Sequence, residues 1–251
     1  MNIIDVSHLT FSYKKNNSYN RVLTDLNLQI KEGEFVCIIG HSGCGKSTLL
    51  NILAGLLLPD SGNLLIEGKA LTGPGTERAI VFQHYSLFPW MTAYKNVLFG
   101  IQQARSELSK SEAGELARVY IRKVGLEDNV KRVAIARALA MDSKILLLDE
   151  PFSALDAKNR NELQQLLEYL LDTNGNRKTV VFVTHDIEEA ILLADRILFM
   201  RQGRFEAEFT VPFSRPRNRE NTLSSSEYKK LKTKLIDLFY FDSELETNED
   251  F

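Results

Sequence analysis

Cysteine, tryptophan and long apolar runs are all scarce in this chain. Two cysteines stand among 251 residues, Cys37 in an apolar stretch and Cys44 in a glycine-rich one. That placement excludes a disulfide framework and suits a reducing compartment. The longest apolar runs, such as Leu53–Leu58 and Ile145–Leu148, fall far short of the ~20 residues that cross a bilayer. Met1-Asn-Ile-Ile-Asp5 has neither the basic start nor the apolar centre of a secretory leader. A soluble, cytoplasmic protein is expected, reaching a membrane only through a partner. Charge of one sign is lacking too: 31 Lys and Arg against 33 Asp and Glu leave a net charge of −2. With no arginine- or lysine-rich stripe, no nucleic-acid partner is expected. The length suits one large domain, or a domain with a small lobe, and a sizeable core.

What is present concentrates between residues 35 and 54. Phe35-Val-Cys-Ile-Ile39 reads as a buried strand and Thr48-Leu-Leu-Asn-Ile-Leu-Ala54 as a helix. Between them Gly40-His41-Ser42-Gly43-Cys44-Gly45-Lys46-Ser47-Thr48 fits the phosphate-loop pattern G-x-x-x-x-G-K-[ST]. Its glycines let successive backbone N–H groups converge on one anion, and the helix N-terminus adds a partial positive charge. Lys46 is then the group for the β- and γ-phosphates of a nucleoside triphosphate, and Ser47 a ligand for Mg²⁺. A plain glycine turn is the alternative; the flanking strand and helix argue against it.

Residues 2–13 and 22–30 alternate as antiparallel strands with one wet face, joined by a polar loop over 14–20. After a turn at Pro59-Asp-Ser-Gly62, short strands are expected at 63–67 and 79–83. A charged helical lobe follows, about 84–141 in all, ending in a helix over 131–141. Strand 144–148, helix 156–171, strand 178–184, helix 187–194 and strand 196–201 then alternate. Solidly apolar strands in that order imply a mostly parallel central sheet flanked by helices, an α/β fold with an antiparallel β subdomain. One nucleotide-binding domain over 1–217 is expected, then a C-terminal helix and acidic tail over 218–251. On that helix Tyr228, Leu231, Leu235 and Leu238 form one stripe, suited to docking on the domain or to a regulatory contact.

Ile145-Leu-Leu-Leu-Asp149-Glu150 is an apolar strand ending in two carboxylates. Asp149 is delivered to the metal beside Ser47, directly or through water, and Glu150 is one step further, where it can take a proton from an attacking water. Gln83 ends another strand, placed for Mg²⁺ and the lytic water, and His185 follows a third as a γ-phosphate contact. Singly, Gln83 and His185 read as ordinary polar strand ends; the ordered set is what is specific.

That set resembles the ATP-binding cassette (ABC) transporter ATPases across residues 3–217, implying a P-loop NTPase core. By the resemblance Tyr13 stacks on adenine, Ser153-Ala-Leu-Asp156 is the loop that reaches a partner subunit, and Thr184-His185-Asp186 is the switch region. Gly73-Pro-Gly-Thr-Glu-Arg78, Val81-Phe-Gln-His84, Leu87-Phe-Pro-Trp-Met-Thr92 and Arg215-Pro-Arg217 are similar to importers of nitrate, aliphatic sulfonates or taurine. The resemblance implies ATP and Mg²⁺, hydrolysis coupled to import, and a place at the cytoplasmic face of the plasma membrane. It also implies a membrane permease docking near Leu87, Phe88, Pro89 and Trp90, a second cassette paired head to tail as a homodimer, and a solute-binding protein acting indirectly. Those four apolar residues also suit plain packing of the lobe.

One departure stands out. The family places a Leu-Ser-Gly-Gly-Gln type signature just before the helix that here begins Lys131-Arg-Val-Ala-Ile-Ala-Arg137. This chain runs Val124-Gly-Leu-Glu-Asp-Asn-Val130 straight into Lys131, and Ser-Gly-Gly occurs nowhere in it. It looks like an internal deletion that reduces the helical lobe. In the family that segment caps the ATP of the partner cassette; here Glu127 and Asp128 stand near the helix start and would repel phosphate. Two readings remain: a working import ATPase, or a nucleotide-binding subunit with impaired turnover. A soluble cassette acting on DNA or ribosomes needs a coiled-coil insertion or a second cassette, and neither is present. A small-molecule kinase or GTPase is disfavoured, since Asn-Lys-x-Asp is missing.

Overall fold

A computed structural model describes residues 1–15, 18–84, 86–125, 130–153, 155–171 and 177–240. Strands β1 (Asn2–Lys15) and β2 (Ser18–Lys31) pair antiparallel from Asn2↔Lys31 to Lys15↔Ser18. The expected loop over 14–20 is therefore strand except at 16–17, which lie outside the described residues. Lys14, Tyr19 and Asn20 are polar or exposed because the hairpin tip is wet on both faces, and they remain in the ladder. β4 (Ser61–Ile66) pairs with the other edge of β1, and the short β5 (Lys69–Ala70) pairs with β4.

A second sheet has the order β10-β9-β3-β8-β7-β6 among the described residues. Its strands are β3 (Phe35–Gly40), β6 (Arg78–Val81), β7 (Ile145–Asp149), β8 (Thr179–Val183), β9 (Arg196–Arg201) and β10 (Arg204–Thr210). All are parallel except β10, which pairs antiparallel with β9 at the edge. β3, β7 and β8 are buried along their whole length, which is why they read as unbroken apolar runs. Successive side chains point to opposite faces, and two cores follow from that. Val36 and Ile38 face the core shared with the β1–β2–β4 sheet and helix α1 (Lys46–Leu53). Phe35, Cys37 and Ile39 face the other core, under the remaining helices.

Those helices are α2 (Ala93–Ala104), α3 (Lys110–Val124), α4 (Val130–Ala140), α5 (Ala157–Leu171), α6 (Ile187–Leu193), α7 (Arg219–Ser224) and α8 (Ser226–Tyr240). Thr92 caps α2, and Ser109 with Glu112 forms a capping box on α3. On α8, Tyr228, Leu231 and Leu235 are buried in the same core as the central sheet, with Leu238 and Phe239 packed partly against it. No helix among the described residues is long and apolar enough to cross a membrane. The parallel strands all end at one edge of the sheet, where Gly40, Val81, Asp149 and Val183 open into loops. In open α/β sheets that edge is where ligands bind.

Candidate nucleotide site

The loop from β3 to α1 crosses that edge. Gly45 caps α1 with φ 109°, and a Cβ there would meet Leu23 Cδ2 at 2.7 Å. At Gly40 a Cβ would fall 2.1 Å from the Met200 carbonyl oxygen, so the loop depends on glycine at both positions. Lys46 is buried, and its ammonium donates to the carbonyls of Gly40 (2.7 Å) and His41 (2.8 Å). The Ser47 hydroxyl donates to Asp149 Oδ1 at 3.0 Å. Burial pushes the Asp149 carboxyl above its ordinary range; the Ser47 hydroxyl opposes this, the Glu150 charge adds to it and Lys46 opposes it.

Glu150 adopts φ 45°, rare for a residue with a side chain, and its N–H donates to Val183 O at 2.9 Å. Its Oε2 lies 3.4 Å from Gln83 Nε2 and 3.2 Å from His185 Nδ1, so both groups converge on one carboxylate. β6 stops at Val81, so Gln83 stands in a turn two residues beyond the strand rather than at its end. The Tyr13 hydroxyl is 3.4 Å from Thr48 Oγ1, and its ring meets the Phe11 ring edge-on at 4.9 Å.

These groups share a polar cleft of about 600 Å³. Tyr13, Asn20 and Val22 line one side, Ser42, Gly43 and Gly45–Thr48 the floor, and Gln83, Glu150 and His185 the far end. Gly40, His41, Cys44 and Asp149 do not line it; Asp149 is buried behind Ser47 and meets the cleft only through that hydroxyl. The His41 ring packs on Phe239 (5.1 Å) and Phe199 (6.5 Å), and its carbonyl is what reaches Lys46. Cys44 is buried, and burial pushes its thiol up. Asn20 and Val22 were missed from sequence because they sit across the β1–β2 sheet, with no motif to mark them. In the loop expected to dock a permease, Leu87 and Phe88 are half-buried while Pro89 and Trp90 are exposed. Buried Asn96, also unmarked by any motif, fixes this loop by accepting the Phe88 N–H (2.8 Å) and donating to the Phe88, Met91 and Thr92 carbonyls. The Ser153 hydroxyl donates to the Glu150 carbonyl at 2.9 Å, and Asp156 takes the Asn159 N–H at the start of α5; Ala154, Glu127 and Asp128 lie outside the described residues.

Hard oxygen donors suit Mg²⁺: Ser47 and Gln83 line the polar cleft and Asp149 stands behind Ser47, a buried carboxyl pushed up by burial that gains from a nearby cation. A parallel sheet whose central strand β3 passes through a glycine loop into a helix, with such carboxylates at the end of β7, one strand removed across β8, defines a P-loop nucleoside triphosphatase. The profile of the family described as ABC transporter matches residues 23–153. The bicarbonate transport ATP-binding protein CmpD of Synechocystis sp. is 43% identical over 234 residues, 87% of this chain and 82% of that protein. The nitrate import ATP-binding protein NrtD of Synechococcus elongatus is 42% identical over 233 residues, 87% of this chain and 84% of that protein. Among solved structures, the dimeric post-hydrolysis state of the ATP-binding cassette MJ0796 bound to ADP and Pi superposes with a TM-score of 0.75. The two are 35% identical, over 84% of this chain and all of that one. The chain belongs to the ABC transporter family and has the fold of its ATP-binding cassettes.

Proposed function

We propose that this chain is the ATP-binding, energy-coupling subunit of an importer for a small oxyanion or organosulfonate. The observation that carries it is the convergence, in one cleft, of the Lys46 loop, Ser47 backed by Asp149, and the Gln83–Glu150–His185 group. The names of the relatives, bicarbonate and nitrate transport, support an oxyanion; the sulfonate possibility rests on the sequence motifs. Tyr13 takes the adenine, the N–H groups of residues 40–48 and Lys46 take the phosphates, and Glu150 accepts the proton of the attacking water. His185 holds the γ-phosphate and Gln83 positions that water. Mg²⁺, held by Ser47, Gln83 and Asp149, supplies charge neutralisation on the phosphates when bound.

Residues 1–217 form the ATP-binding unit and 218–251 its C-terminal extension. The exposed Pro89-Trp90 tip docks on a permease at the cytoplasmic face of the plasma membrane, a second cassette pairs head to tail, and a solute-binding protein acts through the permease.

The missing signature favours a second reading, a subunit that binds ATP and turns it over poorly. The alignment with CmpD spans 234 positions against about 218 residues of this chain (87% of 251), so it holds gaps on this chain's side. Each hydrogen bond to a charged phosphate is worth about 1.5–3 kcal/mol. Losing three such bonds from the partner's site lowers turnover by about 10³ or more, at ~1.36 kcal/mol per decade. The test is Mg-ATP affinity and phosphate release on purified protein, with Lys46→Ala as the blank. Release well above the blank that depends on Glu150 supports the motor. Tight binding with release at the blank's level supports the impaired subunit, and no binding refutes both.

A further inference from the structure

Beneath the turn that carries His185, and outside the cleft's lining, four polar side chains meet. Thr184 is buried and its N–H donates to Ile38 O at 3.2 Å, tying the turn to β3 just ahead of Gly40. Its hydroxyl accepts the Asp186 N–H (3.0 Å) and donates to Glu189 Oε2 (2.7 Å). Asp186 Oδ1 caps α6 by accepting the N–H groups of Glu188 (2.8 Å) and Glu189 (3.2 Å). Asp186 Oδ2 takes Arg160 from α5 at 3.0 Å. Arg160 also stands 3.6 Å from Glu189 Oε1 and donates to the Leu155 carbonyl at 3.3 Å. One guanidinium thus joins the segment that follows Glu150 to the segment that presents His185 to Glu150.

We propose that Glu189, acting with Arg160, is a positioning residue for His185. The ionised carboxylate holds Thr184 and Arg160 together and fixes the 184–186 turn against Leu155; protonation loosens that hold. This rests on the reading of the cleft as an ATPase site. Burial pushes the Glu189 carboxyl up to about 7; the Thr184 hydroxyl opposes this, Asp186 adds to it, and Arg160 and His185 oppose it. From β3, Cys37 faces the same carboxylates, with its thiol pushed up chiefly by burial. Charge on Glu189 therefore changes within the working pH range, and at one unit below its midpoint only about a tenth stays ionised.

Two readouts test this. The backbone amide of Asp186, bonded to the Thr184 hydroxyl, is followed by ¹H–¹⁵N NMR from pH 6 to 8.5. An inflection near 7 that survives His185→Gln and disappears in Glu189→Gln is expected. Phosphate release by Glu189→Gln is expected to be flat over that range, at about a tenth of the wild-type rate at pH 8. Its ATP affinity is expected within twofold of wild type, and Arg160→Lys is expected to restore the slope that Arg160→Met abolishes. The same inflection and the same slope in folded Glu189→Gln would overturn the proposal. An intact inflection in a wild type that releases no phosphate would support the hold while removing hydrolysis from this chain.

Discussion

Asp149 and Glu150 are neighbours that meet different demands. Asp149 completes the buried strand β7 and is held by Ser47; Glu150, turned by its positive φ, presents its carboxylate to the cleft. Glu150→Gln is therefore expected to keep Mg-ATP binding while phosphate release falls by about 10²-fold or more, the usual weight of a general base; equal release would exclude that role. Gly40→Ala places a methyl against the Met200 carbonyl. A loss of about 1–3 kcal/mol in stability, typical of forced overpacking, with weakened nucleotide binding is the expected result of denaturation and binding assays. Glu189 also makes a stability prediction. Its folded carboxyl titrates near 7 against an ordinary 4.5, so the folded state holds the extra proton between those values. Native stability falls as pH rises from 4.5 to 7 and levels off above. Glu189→Gln removes that slope, so its stability relative to wild type rises between pH 5 and 8, by up to about 3 kcal/mol. A pH-independent difference in urea midpoints would contradict it.

Among the elements, α8 shows how a sequence stripe becomes a contact. Leu235, fully buried beneath it, is expected to cost about 2–5 kcal/mol when cut to alanine. Phe239→Ala instead frees the His41 ring, whose Nε2 is shut from solvent with no hydrogen-bond partner among the described residues. The stripe of Tyr228, Leu231, Leu235 and Leu238 was legible because helical period and burial coincide there. The β3-loop-α1 unit and strands β7, β8 and β9 were legible for a similar reason, since strands buried along their middle keep polar residues to their ends. β10 was not: Arg204, Glu206 and Glu208 alternate with Phe205 and Ala207 on an exposed edge, which reads as loop. α7 was missed because six residues give no period to read. In the site, Lys46, Ser47, Asp149 and Glu150 could be read from spacing, while the turn of His41 toward Phe239 depends on a helix near the other end of the described chain, as do Arg160 and Glu189 on packing between helices.

At the scale of the whole molecule, one sheet separates two cores and carries the cleft along a single edge, so each core reaches the nucleotide loop from its own side. Lys46 rides on α1 above one core, and Glu150 and His185 leave strands that also line the other. The molecule therefore gathers its candidate nucleotide groups along one edge of the sheet. Among its surfaces, the Trp90 tip has a practical consequence. The indole is 76% exposed, belongs to the only tryptophan in the chain, and sits on a loop that Asn96 ties to α2. Intrinsic fluorescence excited at the tryptophan edge thus reports on one place alone. Red-shifted emission open to iodide quenching is expected from the free protein; the proposed docking of a permease on the tip predicts a blue shift with loss of quenching, and unchanged emission on assembly would contradict it. The chain carries its own optical label for assembly, with no dye to attach.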